Sequence, residues 1–348
     1  MKYRIVVLAG LLTLALGAQP RIGQSNIAVP VPADPHELVA GPVQAASQGH
    51  GAALEILQRA LQNSRLQNAS MGPFHIDVAF TTGQGGSGQF TETWLSPQAW
   101  RWSASFGGTT VVRGATSQGA YANSDDAVPM PIHLLRNAIF SSMYGNIAMG
   151  TQLRTAAVIW NGKPATCMMT SGVLGPAKIP GRLWEELEYC FDNASGLLVS
   201  SSFAPGVFTV YGYAQNQNLR GHTLADHFTM YEGGDQVLDG TLQLSDAAGT
   251  DPNSLAPTPG MVTRGVVLDA PIRQPMPMPA PAGVTKVLPV IVHANVFNGQ
   301  VMQAEVCAAS DPSVAAAAVA AVQQMHPGAV GNQQQIYFTV KFVPPPSN

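Results

Sequence analysis

The chain has 348 residues, 46% of them hydrophobic and only 11% charged, with a formal net charge of −3. That length suggests two domains, and the apolar fraction is ample for their cores. Sparse charge, with no Lys/Arg cluster and no basic stripe, excludes a nucleic-acid-binding surface.

Residues 1–18 read as a secretory signal. Lys2 and Arg4 form the positive start, Ile5 to Leu16 the apolar core, and Leu16-Gly17-Ala18 a cleavage site. The apolar run falls short of the ~20 residues that cross a bilayer; left uncleaved, it would serve as an inner-membrane anchor. Either way the chain is exported, to the periplasm. Residues 19–50 are rich in Pro, Gly, Ala and Gln, lack periodicity, and read as a flexible leader. A helix follows over 51–67, with Leu54, Leu57 and Leu61 on one stripe.

Strands then dominate. Phe74, Ile76, Val78 and Phe80 alternate with His75, Asp77, Ala79 and Thr81, and Gly83 to Gly88 make a loose hairpin. Trp100, Trp102, Ala104 and Phe106 alternate with Arg101, Ser103 and Ser105. Further strands are expected at 109–115, 151–160, 164–170, 186–192, 197–203, 207–214, 222–231 and 235–244, and one helix at 131–144 carrying Ile132, Leu135, Ile139 and Met143. The aromatic stripe of Trp94, Trp100, Trp102 and Phe106 has two readings, packed core or the wall of an apolar cavity.

Export gives the cysteines meaning. Cys167 and Cys190 flank a short loop between two strand-like runs. A disulfide there would stabilise by about 3 kcal/mol through loop entropy; the alternative is two half-buried thiols. Cys307 is left over, on a polar face beside Gln303 and Glu305, as a bystander or an intermolecular link.

Residues 249–283 carry eight prolines, at 252, 257, 259, 271, 275, 277, 279 and 281, and read as a semi-rigid linker. Beyond it Leu288, Val290, Val292, Ala294 and Val296 occupy one face of a strand. Asn298-Gly299 supplies a tight turn, and Met302, Ala304, Val306 and Ala308 continue the alternation. Asp311 and Pro312 open a helix whose Val314, Ala318 and Val322 form a stripe, and Pro327-Gly328 ends it. Ile336, Phe338, Val340 and Phe342 repeat the strand pattern. This ββαβ unit (284–345) predicts the strand order second, first, last, which leaves the last strand at an edge.

Chemistry is thin. His222 and Asp226 share a strand face without Cys or Glu at ligand spacing. Asp125-Asp126 lies in a loop, and Glu185, Glu186 and Glu188 beside Trp184 read as a solvated edge. The glycine-rich "TTGQGGSGQ" is flanked by strands, so a phosphate-loop reading fails on context, and no G-x-S-x-G elbow is present. No catalytic residue, no metal and no cofactor is expected, so the chain reads as non-enzymatic.

Two resemblances add to this. "VIVHANVFNGQVMQAEVCAASDPSVAAAAVAAVQQMHPG" with "IYFTVKFVP" resembles the C-terminal domain of the TonB energy-transducer family, although Met276-Pro277 stands where that family has Tyr-Pro and Met325-His326-Pro327 replaces its aromatic-basic helix end. Residues 51–248, through "FHIDVAF", "TETWLSPQAWRWSASF" and "LEYCFDNASGLLVSSSF", resemble the LolA/LolB-like lipoprotein carriers. Together they imply an α+β chain: a curved antiparallel half-barrel with helices, a Pro-rich linker, and a TonB-like ββαβ domain.

The leading functional expectation is a periplasmic adaptor in transport across the envelope. It would pair its last strand with an extended segment of an envelope partner such as a TonB-dependent receptor, with Gln335, Tyr337, Thr339, Lys341 and Val343 on the docking strand. The alternatives are a carrier holding a lipid acyl chain, or a structural envelope scaffold.

Overall fold

The computed structural model describes residues 44–45, 55–60, 66, 71–124, 126–141, 152–171, 182–215, 217–264, 271–327 and 333–345. The expected signal, nearly all of the leader, Leu54, Leu61, Asp125 and Met143 lie outside the described residues.

The first part of the chain runs β1 (Gln44–Ala45), α1 (55–60), β2 (Phe74–Thr82), β3 (Ser87–Ser96), β4 (Ala99–Phe106), β5 (Thr109–Thr116), β6 (Gly119–Ala122) and α2 (Met130–Phe140). It continues through β7 (Gln152–Trp160), β8 (Lys163–Ser171), β9 (Leu187–Asp192), β10 (Leu198–Ala204) and β11 (Val207–Gly212). A two-stranded ribbon of β12 (Asn218–Leu219) and β13 (His222–Thr223) precedes β14 (His227–Glu232), β15 (Asp235–Asp246) and β16 (Val262–Arg264). The ribbon splits the run expected as one strand at 222–231.

Apart from the ribbon, these strands make one 14-stranded antiparallel sheet in the order β1-β7-β8-β9-β10-β11-β14-β15-β2-β3-β4-β5-β6-β16. Two hairpin meanders join where β15 returns to β2, with Leu242 opposite Val78. Period-2 alternation decides which face is buried. Phe74, Ile76, Val78, Phe80, Phe90, Trp94 and Trp102 share one core with Leu57 of α1 and Ile132, Leu135 and Ile139 of α2. Both helices therefore pack on the apolar face of the sheet. Cys167 and Cys190 are direct partners across β8 and β9 and are joined by a disulfide.

The rest of the chain forms a four-stranded sheet of β17 (Ile272–Pro279), β18 (Leu288–Phe297), β19 (Gln300–Ala309) and β20 (Gln333–Val343), with α3 (Ala315–Gln323) after β19. Its order is β17-β20-β18-β19. Leu288, Val290, Val292, Ala294 and Val296 meet Ile336, Phe338, Val340 and Phe342 in a second core. Val314, Ala318 and Val322 cover it as their spacing predicted, and the Asp311 carboxylate accepts from Ser313 N at 2.9 Å.

Two expectations fail here for identifiable reasons. Residues 249–283 do not form a free linker: Val262–Arg264 extends the large sheet against β6, and Ile272–Pro279 pairs in parallel with β20. The strand expected at an edge is consequently an interior one, flanked on both sides. Ala280 N donates to Val343 O at 3.0 Å, so the even residues of β17 address β20 and the odd ones face outward. Pro275, Pro277 and Pro279 hold those outward positions and present no N–H there.

The alternation along β19 also breaks. The ladder with β18 skips Cys307 and Met302, at two bulges. Val301, rather than Met302, then packs on the second core, and Met302 is 62% exposed. Among the described residues no helix is long and apolar enough to cross a membrane.

Candidate functional site

The expected docking residues gather on one face of the small sheet, as their parity requires, but that face is not wet. Gln335 (3% exposed), Tyr337 (1%), Thr339 (6%) and Lys341 (5%) lie against the large sheet, with Val343 half-buried at the strand end. The seam is largely polar. Gln333 reads both backbone groups of Val128, accepting from its N–H and donating to its C=O, each at 2.7 Å. Asn137 of α2 donates to Gln335 Oε1 at 3.1 Å. Lys341 pairs with Glu185, and Tyr337 meets Phe203 edge-on with ring centroids 5.3 Å apart.

Glu232, at the end of β14, anchors the centre. It accepts from Tyr337 OH at 2.6 Å and lies 2.9 Å from His293 Nδ1, while the His293 ring stacks on Tyr337 at 4.3 Å. Burial works to raise the Glu232 pKa. The charge of His293 and the hydrogen bonds from His293 and Tyr337 outweigh it and hold the carboxyl below its ordinary value.

Arg273, on β17, pins the strand expected as linker. Its guanidinium donates to the carbonyls of Trp184 at 2.5 Å and Glu185 at 3.2 Å, and to Thr339 Oγ1 at 3.2 Å. Burial, with the nearby Arg182 charge, draws its pKa down to about 10, which leaves it charged at neutral pH. Close approach completes the seam. Gly206, at φ +76°, faces the Cys307 carbonyl so tightly that a Cβ would sit 2.0 Å from that oxygen.

The segment expected as a solvated edge is instead a buried charge network. Glu186 takes two bonds from Arg154, at 2.6 and 2.8 Å, and one from Leu183 N at 2.7 Å. Arg182 lies 3.9 Å from Glu188 and donates to the Glu186 carbonyl. A further buried pair was missed: Glu92 on β3 accepts from Arg136 of α2 at 2.6 Å. The Arg136 guanidinium lies 4.8 Å from the Trp102 ring centre, 4.9 Å from Phe140 and 5.4 Å from Phe90. The signal was available, because Glu92 has the inward parity of Phe90 and Trp94.

The four aromatic candidates are core or its margin. Trp94 stacks on Phe74 and Phe106 on Phe80, Trp102 is fully buried, Trp100 is half-buried, and none lines a described cavity. Two small voids instead lie along α2. One, of about 10 Å³, touches Asn137, Ser201, Thr209, Tyr211 and Tyr337. The other, of about 20 Å³, touches Ile139, Leu198, Leu224, Phe228 and Leu242. A third hollow, of about 540 Å³, opens to solvent between Thr81, Gln89, Ser105 and Asp239 on the outer face.

Among the described residues one group has metal-ligand proximity, Cys167, Glu188 and Cys190, and its two sulfurs are tied in the disulfide. Asp226, weighed with His222 as a ligand pair, accepts from Gln215 N instead.

No family model matches the sequence, and no curated protein matches it. Among solved structures, the crystal structure of a LolA superfamily protein from Nitrosomonas europaea aligns with 54% of this chain and 91% of its own. The identity is 8% and the TM-score 0.33. That likeness is weak. None of these comparisons supports the resemblance to the TonB C-terminal domain.

Proposed function

We propose that the protein is a non-enzymatic, exported carrier that holds an apolar ligand, such as a lipid or lipoprotein acyl chain, beneath α2. The observation that supports this most directly is how α2 is held. One side of the helix packs on the apolar face of the large sheet, with a void at Ile139, Leu198, Leu224 and Phe228. Its attachments to the small sheet are hydrogen bonds through Val128 and Asn137. Polar contacts exchange for water at a net cost of only about 0.5–1.5 kcal/mol each. The small sheet is then a clamp whose direct hold on α2 is polar, while Ile291, Cys307 and Tyr337 join the core that α2 shares.

The adaptor role expected from the sequence fares less well. Its docking edge is taken by β17, whose own outer side offers prolines.

Native mass spectrometry of the protein purified from its own envelope tests the carrier role. A co-purified lipid adduct is expected, and a clean apo mass in every preparation would sink the proposal.

A further inference from the structure

We infer that the two voids along α2 are the halves of one interrupted channel, and that its ligand is a single-chain amphiphile with an uncharged, hydrogen-bonding head. This rests on the carrier reading and specifies its ligand. Both voids touch the same two residues, Ala138 and Tyr211. The Tyr211 hydroxyl donates to the Ala138 carbonyl at 3.1 Å and lies 3.2 Å from Ser201 Oγ. That phenol is a crossbar between the voids. Breaking its bond to α2 and lifting the helix joins them into one passage.

The two ends differ in chemistry. The end at the domain seam mixes the Ser141, Ser201 and Thr209 hydroxyls and the Asn137 amide with Phe203, Val207 and Met230. The far end is Ile139, Leu198, Leu224, Phe228 and Leu242. Asn137 is 2% exposed and spends its N–H on Gln335, while its Oδ1 is buried without a hydrogen-bond partner. The Gln335 Nε2 is in the same state. Buried polar atoms left unpaired are costly, and a ligand hydroxyl or amide N–H entering the first void, which Asn137 lines, would satisfy its Oδ1.

Among the described residues no charged side chain lines either void. An ionised carboxylate, phosphate or ammonium head would therefore be buried with no counter-charge beside it, which is far more costly than burying a hydroxyl. Arg136, the charged neighbour on α2, is already committed to Glu92. As closed, each void has room for about one water, so the channel opens only when the helix moves.

The test is calorimetric titration of the full chain with three C12 amphiphiles below their micelle concentrations: monolauroylglycerol, laurate at pH 8, and dodecyltrimethylammonium. The glycerol head should bind roughly tenfold or more tighter than either ion. Asn137→Leu should erase that preference while chain binding persists. Tyr211→Phe, which keeps the ring, should speed association and leave the preference intact. Tighter binding of either ion, or an unchanged preference in Asn137→Leu, overturns the channel assignment alone. Binding of none of the three by the wild-type chain overturns the carrier reading with it.

Discussion

Glu232 couples the two sheets to pH. The carboxyl is held below its ordinary value of 4.5 in the folded chain. Its contribution to stability is therefore fully present above that value and is lost as the pH falls through the lower, folded-state value. Removing the Tyr337 donor by Tyr337→Phe leaves one Glu232 oxygen short of a bond and should cost about 1–3 kcal/mol at neutral pH. Urea titrations of wild type and variant from pH 7 to pH 3 check both points. The difference should shrink on acidification, and a pH-independent difference would remove the carboxylate from the account. At this scale the sequence was half informative. The odd positions of β20 were correctly placed on one face, because alternation is a local property. That the face was dry was not legible, because Glu232, Glu185 and Asn137 come to it from 105, 156 and 198 residues away.

Among the elements, β17 shows how composition misled. A run of alternating Pro and Met looks like polyproline spacer, since proline cannot donate to a ladder. Proline at every second position removes donors from one side only, and the other side is free to pair. Pro-Met-Pro-Met-Pro is thus a strand with one bonding edge and one shielded edge. Replacing Pro275 and Pro277 with Thr restores two outward N–H groups and should leave the β17–β20 pairing intact. The double variant should self-associate through that edge at concentrations where the wild type does not, as sedimentation velocity would show. A variant that stays as dispersed as the wild type would mean the prolines serve another purpose. The hairpins, α3 and the Val314-Ala318-Val322 stripe, whose first residue lies just before α3, were all readable, because turn residues and periodicity are local. The bulges at Met302 and Cys307 were not, since a single skipped residue leaves no mark on composition.

Across the whole molecule, most strands of the large sheet were legible one by one, though β1, β6 and β16 were not and the run at 222–231 is split. The Cys167–Cys190 bridge is one of the two readings that spacing allowed. The bridge joins residues 23 apart that are already ladder partners. Cys167→Ala with Cys190→Ala should lower stability by about 3 kcal/mol on loop-entropy grounds. Chemical denaturation measures it, and a loss well under 1 kcal/mol would show that the ladder alone restrains this hairpin in the unfolded ensemble. The buried ion pairs Glu92–Arg136 and Arg154–Glu186 were readable only in part: parity turns Glu92 inward, but nothing local names either partner. An isolated charge in a strand usually faces water, and only a partner far along the chain makes its burial tolerable.

The place of β20 has a consequence for how the protein is made. It lies between β17 and β18, yet it is synthesised after both, and after β19 and α3. Until it leaves the ribosome, β17 has no ladder partner, the second core lacks Ile336, Phe338, Val340 and Phe342, and α2 has no Gln333 or Gln335 to hold it. The seam therefore closes late, over a large sheet whose strands have all emerged. A nascent chain stalled before Gln333 would carry the large sheet and α2 without the Val128 and Asn137 contacts that β20 supplies.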